Sequence, residues 1–490
     1  MRGFLASSIG VATAAALALP LALSTPAPAA PSQGAAAPVA PAGSTQSLLL
    51  APLDPAAERS PGVPGMSTSP RLPETRGLAP REVKRFSLVG VVWDDAGTEL
   101  FGRVQVRTRA VATGTWSGWQ DVETHNGEHA PDLGTRESGS GRVRGSTAPL
   151  WVGDSDGVEV RVRAQPGAPA DRAGARLPAG MRIELVDPGA SGPVTVVDAK
   201  NGASGASGAS GASGASRAIA ASGAADEPEG DDKGDLVALP GMTMETAESS
   251  SVNVPLAALG AKEITALDKA DTTADAVADS GLTAAARPYI GPRPRIVTRL
   301  GWGADESLRE PGFVYTSTVK AAFVHHTASG NNYACKDAPA VLRSLYRYHV
   351  VSSGWRDLGY NFAVDKCGTV YEGRAGGVAK AVLGAHTMGF NTDSMGVAVI
   401  GTYTSTKPPA AAVKAVAQLT AWKLGLFNRD PRAKTTLKSG GGNRFKKGTS
   451  VQLNVISGHR DGFATECPGK LLYAQLPPTR TSSAKLQGRP

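Results

Sequence analysis

VISGHRDGFATECPG, residues 455–469, decides how the last third of this 490-residue chain is read. A short apolar run, Val455 and Ile456, leads into His459, and a polar loop through Gly462 leads to Cys467. Imidazole nitrogen and thiolate sulfur are the ligands zinc prefers, and a catalytic zinc site needs three protein ligands with one position left open. A histidine and a cysteine at this spacing are by themselves more often no site at all. A third candidate lies far upstream, in AAFVHHTASG at 321–330, where His325 and His326 end an apolar, strand-like run. Side chains alternate faces along a strand, so only one of the two can point at a shared metal.

Further strand-like runs surround these two: YNFAVD (360–365), TVYEGR (369–374) and GVAVIGTY (396–403). Helical patterns lie between them. Asp337 and Pro339 open one, with Leu342, Leu345, Tyr346 and His349 on one face; a second spans about 409–427 around Val413, Val416, Leu419, Trp422 and Leu424. Strands and helices mixed within fewer than 200 residues predict an α/β domain with a central mixed sheet flanked by helices. At helical spacing from apolar neighbours, His349 reads as a hydrogen-bonded core histidine.

Residues 296–490 hold 25 Lys+Arg against 11 Asp+Glu, a net of +14; the whole chain is +8, so the remainder is −6. Such a domain suits an anionic working surface. Arg429, Arg432, Lys434, Lys438, Arg444, Lys446 and Lys447 crowd one Gly-rich region. No nucleic-acid recognition motif accompanies them, so an anionic wall polymer is the expected partner rather than nucleic acid, and a merely solvated loop stays open as an equal reading.

Upstream the texture changes twice. Residues 190–294 read as a flexible, disordered linker, with five Gly-Ala-Ser triplets (202–216) and the acidic run DEPEGDDKGD (226–235). Residues 83–189 hold FSLVGVVW (86–93), RVQVRTRA (103–110), WSGWQDV (116–122) and GVEVRVRA (157–164), alternating apolar with polar and separated by turns. That pattern predicts an all-β accessory domain, a sandwich or barrel. Its tryptophans, Trp93, Trp116, Trp119 and Trp151, invite a carbohydrate-binding reading, but tryptophans in small sandwiches are more often core. His125 and His129 stand four apart near Asp132, without the helical context that would make them a second metal site.

Residues 31–82 are Pro/Ala-rich and read as disordered. Met1 to Ala30 carries Arg2, an apolar core (Val11 to Leu23) and the small-residue site Ala27-Pro28-Ala29, which reads as a secretory signal peptide. No later run is long and apolar enough to span a bilayer, so a secreted protein, extracellular or on the cell wall and monomeric, is expected. Three cysteines leave one unpaired. Pairing Cys335 with Cys367 leaves Cys467 for a metal; pairing Cys467 with either of the others stays open.

Six stretches carry a resemblance: WGADES (302–307), FVHHTA (323–328), GWRDLGYNF (354–362), VYEGRAGG (370–377), GAHTMGFNTDSMGVAVIGTY (384–403) and GHRDGFATECPG (458–469). In order and spacing, across about 295–478, they resemble the peptidoglycan recognition protein family, the zinc-dependent type-2 N-acetylmuramoyl-L-alanine amidases. The β unit resembles accessory domains in front of such amidases in actinobacteria, and residues 479–490 are left as a tail. The resemblance implies Zn2+ held by His325, His459 and Cys467, a catalytic Tyr360, and Thr465 near the metal-bound water. It also implies a glycopeptide groove lined by His386, Arg374 and Asn391. Retention of the cysteine favours an enzyme over a binding-only receptor. Zinc with three protein ligands polarises an amide carbonyl and brings bound water to a pKa of about 7. The Tyr360 hydroxyl suits the oxyanion formed as the bond from N-acetylmuramic acid to L-alanine breaks. A zinc peptidase cutting the stem peptide shares this ligand chemistry.

Overall fold

The computed structural model describes residues 43–53, 74–124, 126–165, 177–190, 238–280 and 289–490. The signal-peptide region and the Gly-Ala-Ser triplets lie outside them. The described residues all fall within one compact unit.

Alternating patterns build the expected β domain, as one eight-stranded antiparallel sheet. Its spine is Thr75–Trp93, paired with Leu150–Ala164 on one side and Arg182–Asp187 on the other, with register shifts where it bends. The run from Phe86 to Trp93 is buried throughout, which strict one-sided alternation does not predict. Its two faces meet two cores. Phe86, Val89, Val91 and Trp93 fill the β domain, while Leu88 and Val92 pack against Val341, Leu342 and Leu345 of the second domain. A strand buried on both faces reads as a continuous apolar run. Gly90 stands at the junction, where a Cβ would come within 2.4 Å of the Tyr348 hydroxyl oxygen. That hydroxyl donates to the Thr147 carbonyl at 3.0 Å.

Strand pairing extends the β domain beyond its expected limits. Ser44–Leu49 pairs with Arg182–Asp187, and Ala51–Pro52 pairs with the start of the spine, so part of the Pro/Ala-rich segment is folded. Local composition hid this, because the strand's partner lies far along the chain.

The second domain is α/β. Its mixed sheet runs Ile456–Gly458, Ala321–His326, Ser394–Val399, Phe362–Val364, Val370–Glu372, Ile296–Val297, Glu263–Ile264. The first four are parallel, and Val370–Glu372 and Glu263–Ile264 each add an antiparallel contact. Helices Ala410–Leu426 and Leu476–Leu486 contribute Leu419, Trp422, Leu424 and Leu476 to the core on one side; Ala338–Arg347 covers the other. Asp337 precedes that last helix as expected, but its carboxylate turns back to accept from Ala334 N at 2.9 Å.

Two stretches read as linker and tail carry structure. Helices Met244–Ser251 and Lys269–Ser280 flank an edge strand, and Asn253 bridges to Glu372 at 2.9 Å. The tail continues a helix in which Ser483 meets Thr420 at 2.8 Å and Gln487 donates to the Ala421 carbonyl at 3.0 Å. Few large apolar residues mark these elements, so their stability comes from docking rather than from an amphipathic stripe of their own. Among the described residues no helix is long and apolar enough to cross a membrane.

Candidate metal centre and groove

Ala321–His326 and Ile456–Gly458 are neighbouring parallel strands, and both run out at the same edge of the sheet. His325 is the last residue but one of the first, and His459 directly follows the second. Ligand sites in parallel sheets collect at these carboxyl ends. The polar loop after His459 returns Cys467, placing its Sγ 3.8 Å from His325 Nδ1. His326 faces away and accepts from Tyr403 N at 3.2 Å through Nδ1.

A fourth donor arrives from the β domain. His129 Nε2 lies 3.2 Å from His459 Nδ1 and 3.5 Å from Cys467 Sγ. Together His129, His325, His459 and Cys467 offer four ligand atoms, all within 4.8 Å of one another and all on buried side chains. Burial, reinforced by neighbouring imidazoles, holds the pKa of His129, His325 and His459 well below the ordinary value, and it pushes the Cys467 thiol up. Neutral imidazoles are the form that binds a metal, and a coordinated cation reverses the penalty on the thiolate.

The remaining candidates fall around this centre. Tyr360 is buried, with its ring 5.4 Å from that of His325, and burial keeps its phenol protonated. Thr465 accepts from Cys467 N at 3.1 Å, fixing the turn that carries the thiol. His386 is not on the groove wall; it stands behind His325, its Nδ1 3.3 Å from His325 Nε2. Such a contact to the far nitrogen sets a ligating imidazole's tautomer and tilt. Gly396 makes room for it, since a Cβ there would come within 2.4 Å of the His386 ring. Arg374 and Asn391 are each already engaged by the β domain. The Arg374 guanidinium donates to both oxygens of Glu137 at 2.9 and 3.0 Å, and Asn391 Nδ2 donates to Asp132 at 2.6 Å.

Cys335 and Cys367 form a disulfide, and Cys467 is free and buried. His349 accepts from Gly359 N at 3.2 Å and stacks on Trp355, a core histidine as expected. Of the four tryptophans, Trp93 is core, Trp151 packs at the domain junction, and Trp119 lies under Arg161. Trp116 is 37% exposed. Among the seven clustered cations, Arg432 pairs with Asp430 and Arg444 donates to the Arg460 carbonyl, while Lys434, Lys438, Lys446 and Lys447 are exposed.

Sequence reasoning named His129 but set a metal role for it aside, and it passed over Glu128 and Glu137. The available signal was indirect: residues 123–137, ETHNGEHAPDLGTRE, lack apolar periodicity yet carry a histidine pair and four acids, in the part of the chain whose charge is opposite to that of residues 296–490. His125 lies outside the described residues.

Residues 315–470 match the family described as N-acetylmuramoyl-L-alanine amidase, and residues 45–179 match one described as Rv3811 N-terminal galactose-binding domain-like. Peptidoglycan-recognition protein SC2 of Drosophila simulans is 31% identical over 183 residues, 37% of this chain and 84% of that one. The human N-acetylmuramoyl-L-alanine amidase is 32% identical over 203 residues, 40% of this chain and 30% of that protein. Among solved structures, wild-type Drosophila PGRP-LB is 26% identical over 37% of this chain and 92% of its own, with a TM-score of 0.30. The chain belongs to the family of peptidoglycan recognition proteins and type-2 N-acetylmuramoyl-L-alanine amidases.

Proposed function

We infer that the protein is a secreted zinc amidase that hydrolyses the amide joining N-acetylmuramic acid to L-alanine in peptidoglycan. The observation that carries this reading is the meeting of His325, His459 and Cys467, from two strand ends and a returning loop, beside the Tyr360 phenol. The donor set suits zinc. Zn–N bonds of about 2.0–2.1 Å and Zn–S of about 2.3 Å give tetrahedral edges of about 3.3 Å between nitrogens and about 3.6 Å between nitrogen and sulfur. The Cys467 Sγ to His325 Nδ1 separation of 3.8 Å is close to such an edge, and the donor atoms of all three lie within 4.8 Å of one another.

When bound, zinc polarises the amide carbonyl and acidifies water. This chain's residues do the rest. His386 holds the His325 ring in the tautomer that presents Nδ1. Tyr360, kept protonated by burial, donates to the carbonyl oxygen as charge builds there, and such a donor contributes about 3 kcal/mol. Thr465 orients the attacking water, and Arg374 and Asn391 bind the polar groups of the glycopeptide. The work falls to the amidase domain, residues 295–478. Its net charge of +14 over residues 296–490 suits a monomeric protein working at an anionic cell wall.

Product analysis on defined muropeptides tests the reading. New amino-terminal alanine should appear without new reducing ends, should vanish with chelator, and should fall by about 10²-fold or more in Tyr360→Phe with zinc retained. Glycosidases need a placed pair of carboxylates and would release reducing sugar. New reducing ends, new termini within the stem peptide, or full activity in the phenylalanine variant would overturn the assignment.

A further inference from the structure

The loop 126–137 of the β domain engages the residues to which the amidase reading gives work. Glu128 accepts from the Thr465 hydroxyl at 2.6 Å through its carboxylate, and its carbonyl accepts from Met388 N at 2.9 Å. His129 completes the metal group. The Ala130 carbonyl and Asp132 carboxylate take both Asn391 amide donations, and Asp132 also accepts from Gly389 N at 2.7 Å. Glu137 takes the Arg374 fork and accepts from Arg356 N at 3.1 Å. These partners lie more than 200 residues apart in sequence, and the interface is polar and charge-complementary.

We propose that loop 126–137 is a built-in occupant of the glycopeptide groove and that His129 is the fourth ligand of the metal, so that the resting chain is latent. The proposal rests on the amidase reading of the groove. Three features separate it from ordinary domain packing. First, His129 Nε2 sits at tetrahedral edge distances from two of the proposed ligands. A structural zinc site is closed by four protein donors, whereas a catalytic one keeps a position for water or substrate. His129 converts the second kind into the first. Second, the loop presents carboxylates and a backbone carbonyl to Arg374 and Asn391, the groups a peptide stem bearing carboxylates and amides would present. Third, apolar packing between the domains lies elsewhere, around Leu88, Val92 and Val186 against Val341 and Leu345. The loop can therefore leave the groove while the domains stay joined.

Opening would exchange His129 for water at the metal and free Arg374 and Asn391 for the glycopeptide; no covalent bond has to break.

The test uses the full chain, its His129→Ala variant, and an Asp132→Asn/Glu137→Gln double variant that retains His129. Each is loaded with cobalt(II) in place of zinc and titrated with acetohydroxamate, a small metal-binding anion. The wild-type visible spectrum should respond only at about tenfold higher acetohydroxamate than the His129→Ala spectrum does, because its fourth coordination position is open only part of the time. Both variants should also cleave wall fragments at least about tenfold faster than wild type, since a groove open one-tenth of the time lowers apparent affinity by that fraction. A wild-type spectrum that responds as the His129→Ala spectrum does, or equal rates in all three proteins, overturns the latent state and leaves the amidase reading standing. Failure of the wild type to take up any metal overturns both.

Discussion

His325 and His459 reach the metal group from the ends of two adjacent parallel strands, whereas His129 reaches it from a loop. The strand-borne donors are placed by ladder hydrogen bonds and by a core in which Val324, Val397 and Ile456 are fully buried. The loop-borne donor is placed by short turns, such as His129 N to the Asn126 carbonyl at 3.1 Å, and by contacts that water or substrate can replace. Two buried arginines repeat the contrast. Arg299 is held by Glu306 and Asp357 of its own domain; Arg374 is held by Glu137, 237 residues upstream. One side of the site is architecture and the other is a removable fitting.

If that distinction is right, damage to the strand side should be final. Cys467→Ser or His459→Ala should abolish both metal content and turnover, checked by metal analysis beside the muropeptide digest. Wild-type turnover in Cys467→Ser would break the comparison at its centre.

The arginines sharpen it next. Arg299→Ala strips buried Asp357 of its arginine and leaves buried Glu306 with Arg309 alone, and should destabilise by about 3–5 kcal/mol, read from denaturant unfolding. Glu137→Gln should cost at most about 1.4 kcal/mol, the opening free energy of a groove open about one-tenth of the time, because the loop can move out and let water solvate Arg374. Equal losses would mean that the loop is as fixed as the sheet.

Reducing the Cys335–Cys367 bond frees a loop closed over a separation of 32 residues, worth about 3–4 kcal/mol by the chain-entropy argument. Its effect should appear in unfolding and not in the cobalt spectrum, since neither cysteine belongs to the metal group.

Salt should give the smallest effect. Exposed Lys434, Lys438, Lys446 and Lys447 are screened within about 8 Å at physiological ionic strength, so wall association by the full chain should weaken progressively as salt rises. Salt-independent association would assign wall binding to the groove alone.

Much of the strand side was legible in the sequence. AAFVHHT and NVISGH end apolar runs in histidines, and the period-2 segments of the β domain each overlap an observed strand, although WSGWQDV does so only over Gln120–Val122. What local pattern could not carry was contact across the chain. His129 approaches His459 over a separation of 330 residues, and nothing periodic marks a loop that folds onto another domain. The helices Met244–Ser251 and Lys269–Ser280 were missed for a related reason: rich in Ala, Ser, Thr and Asp, they lack a strong apolar stripe and gain their stability from docking. His386 was read as groove-lining because its segment resembles one that lines the groove, although its side chain turns inward behind His325.

Covalent attachment of loop 126–137 to the enzyme it covers has a consequence for what can compete with it. A tethered occupant acts at an effective concentration on the order of millimolar, whatever the concentration of protein. A freely diffusing wall fragment at micromolar levels would therefore rarely win the groove. An intact wall presents many stem peptides side by side, and the basic face of residues 296–490 can hold the molecule against it while the loop opens and closes. On that arithmetic the chain discriminates between polymer and debris by local density of sites rather than by any difference in the bond being cut.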